Sequence, residues 1–168
     1  MTENTTEDIL KSAILLEKRG RAFYKSIAKQ TEHAAVSEFF NMMATEEEMH
    51  VAMLTEQYRS YQESGHFKST EYGDDAAFSG VAAKVLSDKL KKEISAADFE
   101  AAAISAAMSM EQGAIDLYSG RAKDAVDENE KALYTWLADW ERGHLTFLAE
   151  VDQELREEVW NDNSFWPY

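Results

Sequence analysis

Apolar residues recur along this chain at helical rather than strand spacing, and they do so in four long stretches. The first opens at Thr5, where Asp8 three residues on resembles a capping box, and runs to about Gln30. Ile9, Ala13, Leu16, Phe23 and Ile27 keep one side of it apolar. The second runs from about Ala34 to Gln62, with Val36, Phe40, Met43, Leu54 and Tyr58 on its inner side. The third opens at Ser95, again with an acid three residues on at Asp98, and continues to about Ala125. The fourth spans about Glu128 to Leu155. The one proline is Pro167 and glycines are few, so the interior is almost free of helix breakers.

Short links between segments one and two, and between three and four, predict antiparallel neighbours. The connection 63–94, with Gly65, Gly73 and Gly80, must then carry the chain along the bundle, and a short helix is predicted within it at about Ala76 to Lys91. That is the topology of an all-α, ferritin-like four-helix bundle with one long crossover. A single domain over 1–168 is expected, with hairpins at about 6–62 and 95–155 and an aromatic tail at 156–168.

The two hairpins repeat. A shift of 94 residues lays Ala13 on Ala107, Glu17 on Glu111, Tyr24 on Tyr118 and Ala28 on Ala122. With no gap, it also lays Ala44 on Ala138, Glu47 on Glu141, His50 on His144 and Leu54 on Leu148. Small packing residues and ionisable groups are what the halves share, as expected of duplicated halves of one bundle.

Composition narrows the chemistry. There is no cysteine, which excludes disulfides, thiolate zinc sites and iron–sulfur or rubredoxin-type centres made by these residues. The formal net charge of −15 repels phosphate backbones and argues against nucleic acid as a partner. Met1 to Asp8 lacks the order of a signal peptide, and no apolar run approaches membrane-spanning length, so a soluble, cytoplasmic protein without membrane partners is expected.

The repeated ionisable residues carry the chemistry. Glu47 with His50, and Glu141 with His144, stand three residues apart, which on a helix puts carboxylate and imidazole one turn apart on one face. Glu17 and Glu111 each lie 30 residues ahead of their Glu-x-x-His partner, flanked by Leu15 and Leu16 or by Met108 and Met110. Four carboxylates and two imidazoles facing one interior cost several kcal/mol per buried charge unless compensated. Two divalent cations cancel the four negative charges. Oxygen and imidazole ligands without sulfur suit iron or manganese, and zinc also fits. One Glu from each of two helices, with Glu-x-x-His from each of the others, is the known ligand set of di-iron and di-manganese carboxylate bundles.

Along nearly all of residues 6 to 155 the chain resembles the rubrerythrin-like branch of the ferritin superfamily. The residues carrying the resemblance are Glu17-x-x-Gly20-x-x-Phe23-Tyr24, Ala44-Thr45-Glu46-Glu47-Glu48-Met49-His50, Glu111-x-x-Ala114-x-x-Leu117-Tyr118 and Ala138-x-x-Glu141-x-x-His144. It implies two iron ions per chain, held by Glu17, Glu47, His50, Glu111, Glu141 and His144, with each histidine capping one iron and some of the carboxylates bridging. It further implies a peroxide-reducing oxidoreductase, with hydrogen peroxide or dioxygen as substrate, and a homodimer. Rubrerythrins proper usually add a cysteine-bound rubredoxin domain; with no cysteine here, a separate electron-donor protein is expected. The family's further acid, three residues after the third-helix ligand, is replaced by Ala114, whose repeat mate is Gly20. Both are small enough either for helix packing or to leave room for an oxidant. Manganese catalases look less similar, because both halves here retain the full Glu-x-x-His.

Tyr24 and Tyr118 lie two turns after Glu17 and Glu111, where they can hydrogen-bond a ligand carboxylate or simply pack. Glu46 and Glu48 flank Glu47, but only Glu47 satisfies both the step to His50 and the match to Glu141. His33 and His66 fall in connections and read as surface residues. Trp136 and Trp140 read as packing between helices or at a subunit contact, and the tail from Val159 as docking onto its own bundle or a second subunit. Two further functions remain open: a ferroxidase coupled to iron storage or buffering, and a non-catalytic bundle stabilised by its metals.

Overall fold

The computed structural model describes residues 5–73, 80–95, 98–162 and 166. The capping box forms as the sequence predicts: the Thr5 hydroxyl accepts from the Asp8 N–H (3.2 Å) and the Asp8 carboxylate accepts from the Thr5 N–H (3.1 Å). It starts α1 (Thr6–Gln30). Next, α2 (Ala34–Ser64) begins at His33, whose side chain makes no capping bond. A carboxylate from elsewhere compensates, since Glu93 accepts the Ala35 N–H at 2.9 Å, where an acid also suits the helix dipole. The helix stops at Gly65, whose φ of 74° favours glycine and whose N–H returns to the Tyr61 carbonyl.

The crossover carries α3 (Gly80–Glu93), followed by α4 (Phe99–Asp124) and α5 (Glu128–Trp160). Residues 76–79 of the predicted short helix, and Met1 to Asn4, lie outside the described residues. The helix α4 starts later than Ser95. Ser95 and Asp98 instead close a turn, with the Asp98 carboxylate accepting the Ser95 N–H (3.1 Å) and the Asp98 N–H bonding the Ser95 carbonyl (3.0 Å), so Asp98 becomes the N-cap. The last helix continues past Leu155, supported by the Arg156–Asp152 pair (2.9 Å) and by Asn161, whose amide donates to the Glu157 carbonyl (2.8 Å).

The helix α1 packs along α2, and α4 along α5; α1 also meets α4, and α3 lies against α2 and α5. Leu90 and the adjoining Ile94 reach the core beside Phe39, Phe40 and Phe147, while Ser87 and Lys91 hold Glu154 (3.2 and 2.7 Å). Among the described residues there are helices and no strand, and the fold is the all-α ferritin-like bundle that the periodicity predicts. None of these helices is long and apolar enough to cross a membrane.

Two findings position the site. The buried line of α1 is Leu10, Ala13, Glu17, Gly20, Tyr24, Ile27 and Ala28, one step around the helix from the apolar stripe read in sequence. Ile9, Leu16 and Phe23 are half-buried flanks, and Leu15 faces outward. A hydropathy reading gives no weight to a glutamate or a glycine, so it misses that these occupy the centre of the line. The apolar core also divides in two. One cluster holds Tyr24, Phe40, Ala107 and Phe147, the other Leu10, Leu54, Tyr118 and Leu137. On each of the four long helices a buried glutamate falls between the two clusters.

Candidate metal centre

That belt consists of Glu17 on α1, Glu47 and His50 on α2, Glu111 on α4, and Glu141 and His144 on α5, all buried. The sequence-predicted set therefore comes together completely. His50 Nδ1 lies 3.0 Å from Glu141, 3.3 Å from Glu17 and 3.9 Å from Glu47. His144 Nδ1 lies 3.0 Å from Glu141 and 3.6 Å from Glu111. Two groups of four result, Glu17–Glu47–His50–Glu141 and Glu47–Glu111–Glu141–His144, and within each the donor atoms lie within 4.8 Å of one another. Glu47 and Glu141 belong to both.

Charge in this belt is poorly compensated by the protein itself. Among the described residues, every ion pair made by the four carboxylates is with one of the two imidazoles. Burial, then the neighbouring Glu17, pushes the Glu47 carboxyl well above the usual range. Burial, then Glu141, pushes Glu111 up to about 8. Burial also works against Glu141, but His50 and His144 on either side outweigh it and hold that carboxyl well below the usual range. Burial lowers both histidines; the facing carboxylates, Glu141 foremost for His50 and Glu111 for His144, outweigh it and raise them. Glu141 Oε1 makes no hydrogen bond among the described residues, although His50 Nδ1 is near it. Excess carboxylate, an orphaned carboxylate oxygen and two inward Nδ1 atoms fit a pair of divalent cations, and the O/N donor set suits iron, manganese or zinc.

The tyrosines are crossed between the halves. Tyr24 on α1 donates to Glu111 on α4, and Tyr118 on α4 donates to Glu17 on α1. Each ring is stacked by a residue of its own hairpin: Tyr24 by Phe40 (centroids 5.9 Å apart, 26°) and Tyr118 by Tyr134 (5.8 Å, 27°). The sequence offered hydrogen bonding and packing as alternatives. Both tyrosines do both.

A family model described as Rubrerythrin matches residues 8–152. The chain belongs to the rubrerythrin family. A solved structure of a hypothetical protein from Pyrococcus furiosus is similar over 94% of each chain, with 26% identity and a TM-score of 0.61. None of the curated proteins compared with the chain matches it.

Around the shared rubrerythrin-family pattern, several neighbours differ from their sequence reading. Gly20 and Ala114 both line a small cavity against the carboxylates. At Gly20 the close approach is specific: an added Cβ would lie 3.2 Å from Glu47 Cδ and 3.3 Å from its Oε1. Glu48 is exposed and pairs with Arg21 (3.0 Å) and Lys25 (3.7 Å), away from the belt that Glu47 faces. Trp136 and Trp140 do pack between helices, and both meet the His50 ring, while Trp140 also meets His144 and Trp136 stacks on Tyr72. Glu46, which in sequence only flanks Glu47, turns toward the other hairpin. Its carboxylate lies 2.5 Å from His144 Nε2. The signal was present in the repeat, where Glu46 is laid on Trp140, a mismatch one residue from a matched pair. Of the two connection histidines, His66 is exposed and His33 is the half-buried N-cap of α2.

Proposed function

We propose that this rubrerythrin-family chain holds two iron ions in the belt and reduces hydrogen peroxide with electrons from a separate donor protein. The observation that carries this reading is the sharing of Glu47 and Glu141 between two four-residue groups. Glu17 and His50 would hold one ion and Glu111 and His144 the other, with Glu47 and Glu141 available to both. A bound iron pair supplies the two electrons that peroxide needs, in the balance H2O2 + 2e− + 2H+ → 2H2O, and the donor returns them. The chain's own part is positional. Tyr24 and Tyr118 fix the orientation of Glu111 and Glu17 through their hydroxyls. Gly20 gives the Glu47 carboxylate clearance to move. The two apolar clusters on either side exclude water from the belt.

One observation favours a second reading. Ala114 stands where the family's further acid is expected, so no additional carboxylate from that position helps the ions exchange oxidation states, and a ferroxidase becomes the alternative. Rapid mixing of the ferrous-loaded protein with peroxide and, separately, with oxygen distinguishes them. Faster growth of diferric absorbance with peroxide supports the peroxidase; oxygen reacting as fast or faster supports the ferroxidase. A protein that binds zinc and iron equally and reacts with neither oxidant is a structural metal bundle. A homodimer also belongs to this proposal, since Trp160 is 75% exposed on α5 and meets Trp166 edge-on (5.5 Å, 78°). Phe165, Pro167 and Tyr168 lie outside the described residues. Light scattering at micromolar concentration should give twice the chain mass.

A further inference from the structure

The six belt residues are near-symmetric, but the outer sides of the two histidines are not. Both rings turn Nδ1 toward the carboxylates. On the far side of His144, Nε2 meets the Glu46 carboxylate at 2.5 Å. The Trp140 indole N–H donates to that same carboxylate at 3.4 Å, fixing it from behind. On the far side of His50, Nε2 has no hydrogen-bond partner among the described residues. The ring instead stands near-perpendicular to Trp136 (centroids 5.7 Å apart, 85°) and Trp140 (5.9 Å, 87°). The cause lies in the repeat, because Glu46 and Trp140 occupy equivalent positions in the two halves.

We infer that Glu46 is a positioning residue that makes the two metal positions unequal, so that the ion beside His144 binds first and more tightly than the ion beside His50. An imidazole bonding a metal through Nδ1 carries its proton on Nε2, and on His144 that N–H donates to a carboxylate. The bond fixes tautomer and ring orientation and makes the ring a stronger donor; loss of such a partner typically costs about 10–100-fold in metal affinity. His50 Nε2 has no such carboxylate among the described residues; the indoles packed across the ring fix it but add no donor strength. This inference rests on the metal-centre reading above and adds an order of filling to it.

Cobalt(II) tests it without any turnover. Stepwise titration of the full-length metal-free protein, followed by d–d absorbance and checked by elemental analysis, should give two steps separated by about 10–100-fold in affinity. In Glu46→Ala the tighter step should weaken until the two merge, with helical circular dichroism unchanged. Glu46→Gln keeps an acceptor oxygen without the charge and should fall between. Glu48→Gln removes the same charge from an exposed neighbour and should leave both steps in place. Equal affinities in the unaltered protein, or two steps that survive both Glu46 substitutions, overturn the inference while leaving the metal centre standing. Failure to bind cobalt at all overturns the metal centre, and this inference with it.

Discussion

The hairpins α1–α2 and α4–α5 are two versions of one unit, and what they share differs in kind from what they do not. Shared are the residues facing the belt: Glu17 and Glu111, Tyr24 and Tyr118, Glu47 and Glu141, His50 and His144. The tyrosine contacts are shared as well, as crossed hydroxyl bonds and ring stacks of matching angle. Among the differences are Gly20 against Ala114, Phe40 against Tyr134, and Glu46 against Trp140. They lie beside or behind the belt residues, where they change the surroundings of a belt side chain without replacing it. The duplicated unit thus keeps its belt residues fixed and diverges in what surrounds them.

The most damaging way to break this symmetry is to remove a carboxylate that both groups use. Glu141→Ala is expected to lower metal content from about two ions per chain to almost none. Glu17→Ala should leave close to one, since Glu17 belongs to a single group. Metal analysis after iron reconstitution separates the outcomes, and equal losses in the two variants would contradict a role for Glu141 in both groups.

Glu47 and Glu141 are repeat mates, yet their surroundings push them in opposite directions. Glu141 has an imidazole nitrogen at 3.0 Å on each side, whereas Glu47 has its imidazole at 3.9 Å and a second carboxylate beside it. In the metal-free protein, Glu47, Glu111, His50 and His144 all bind protons more tightly folded than unfolded. Their contribution to stability is full below their unfolded values and is lost as pH rises through the folded ones, about 8 for Glu111. Glu141 acts in the other sense, adding stability above the ordinary carboxylate range that is lost in acid. The metal-free melting temperature should therefore fall by on the order of 5–10 °C between mildly acidic pH and pH 9. The metal-loaded protein, whose ligands bind deprotonated, should not show that fall. Differential scanning calorimetry of both forms across pH provides the check.

Exchanging the small pair sharpens the comparison on a finer scale. Gly20→Ala gains helix propensity of about 1 kcal/mol but forces the Glu47 carboxylate to give way. The expected result is a nearly unchanged melting temperature with metal affinity reduced several-fold. Ala114→Gly should do the reverse, costing about 1 kcal/mol of stability with little effect on binding. Calorimetry and cobalt titration of the two variants together reveal whether the clearance is specific to the Gly20 side.

How far the sequence reading reached follows the same division. The six belt residues were legible because a gapless repeat and the three-residue Glu–His step both single them out, and the helical spacing that defines the bundle was legible for the same reason. The start of α4 was misplaced by a few residues, because the Ser95–Asp98 pair can close either a capping box or the turn before the helix, and only the surrounding chain decides. Glu46 was undervalued because its partner, His144, is 98 residues away. No local spacing can reveal a bond across the bundle, and the only trace in sequence is a repeat position that fails to match.

The smallest expected effect comes from the ring that differs by one hydroxyl. Tyr134 stacks on Tyr118 as Phe40 stacks on Tyr24, so the second half places a phenol where the first has a bare ring. That hydroxyl is buried, and no described protein group hydrogen-bonds it. Burial pushes its pKa up, which keeps it neutral, and a neutral unpaired hydroxyl in an apolar cluster still costs on the order of 1 kcal/mol or more. Tyr134→Phe removes the cost and keeps the ring, and the opposite half shows that a phenylalanine serves in the equivalent place. The melting temperature should rise by about 2–4 °C, with metal content unchanged. The converse substitution, Phe40→Tyr, puts a hydroxyl into the apolar cluster around Phe39 and should lower it. A fall in melting temperature for Tyr134→Phe would mean that the hydroxyl is satisfied after all, and that the two halves diverged here for a reason other than tolerance.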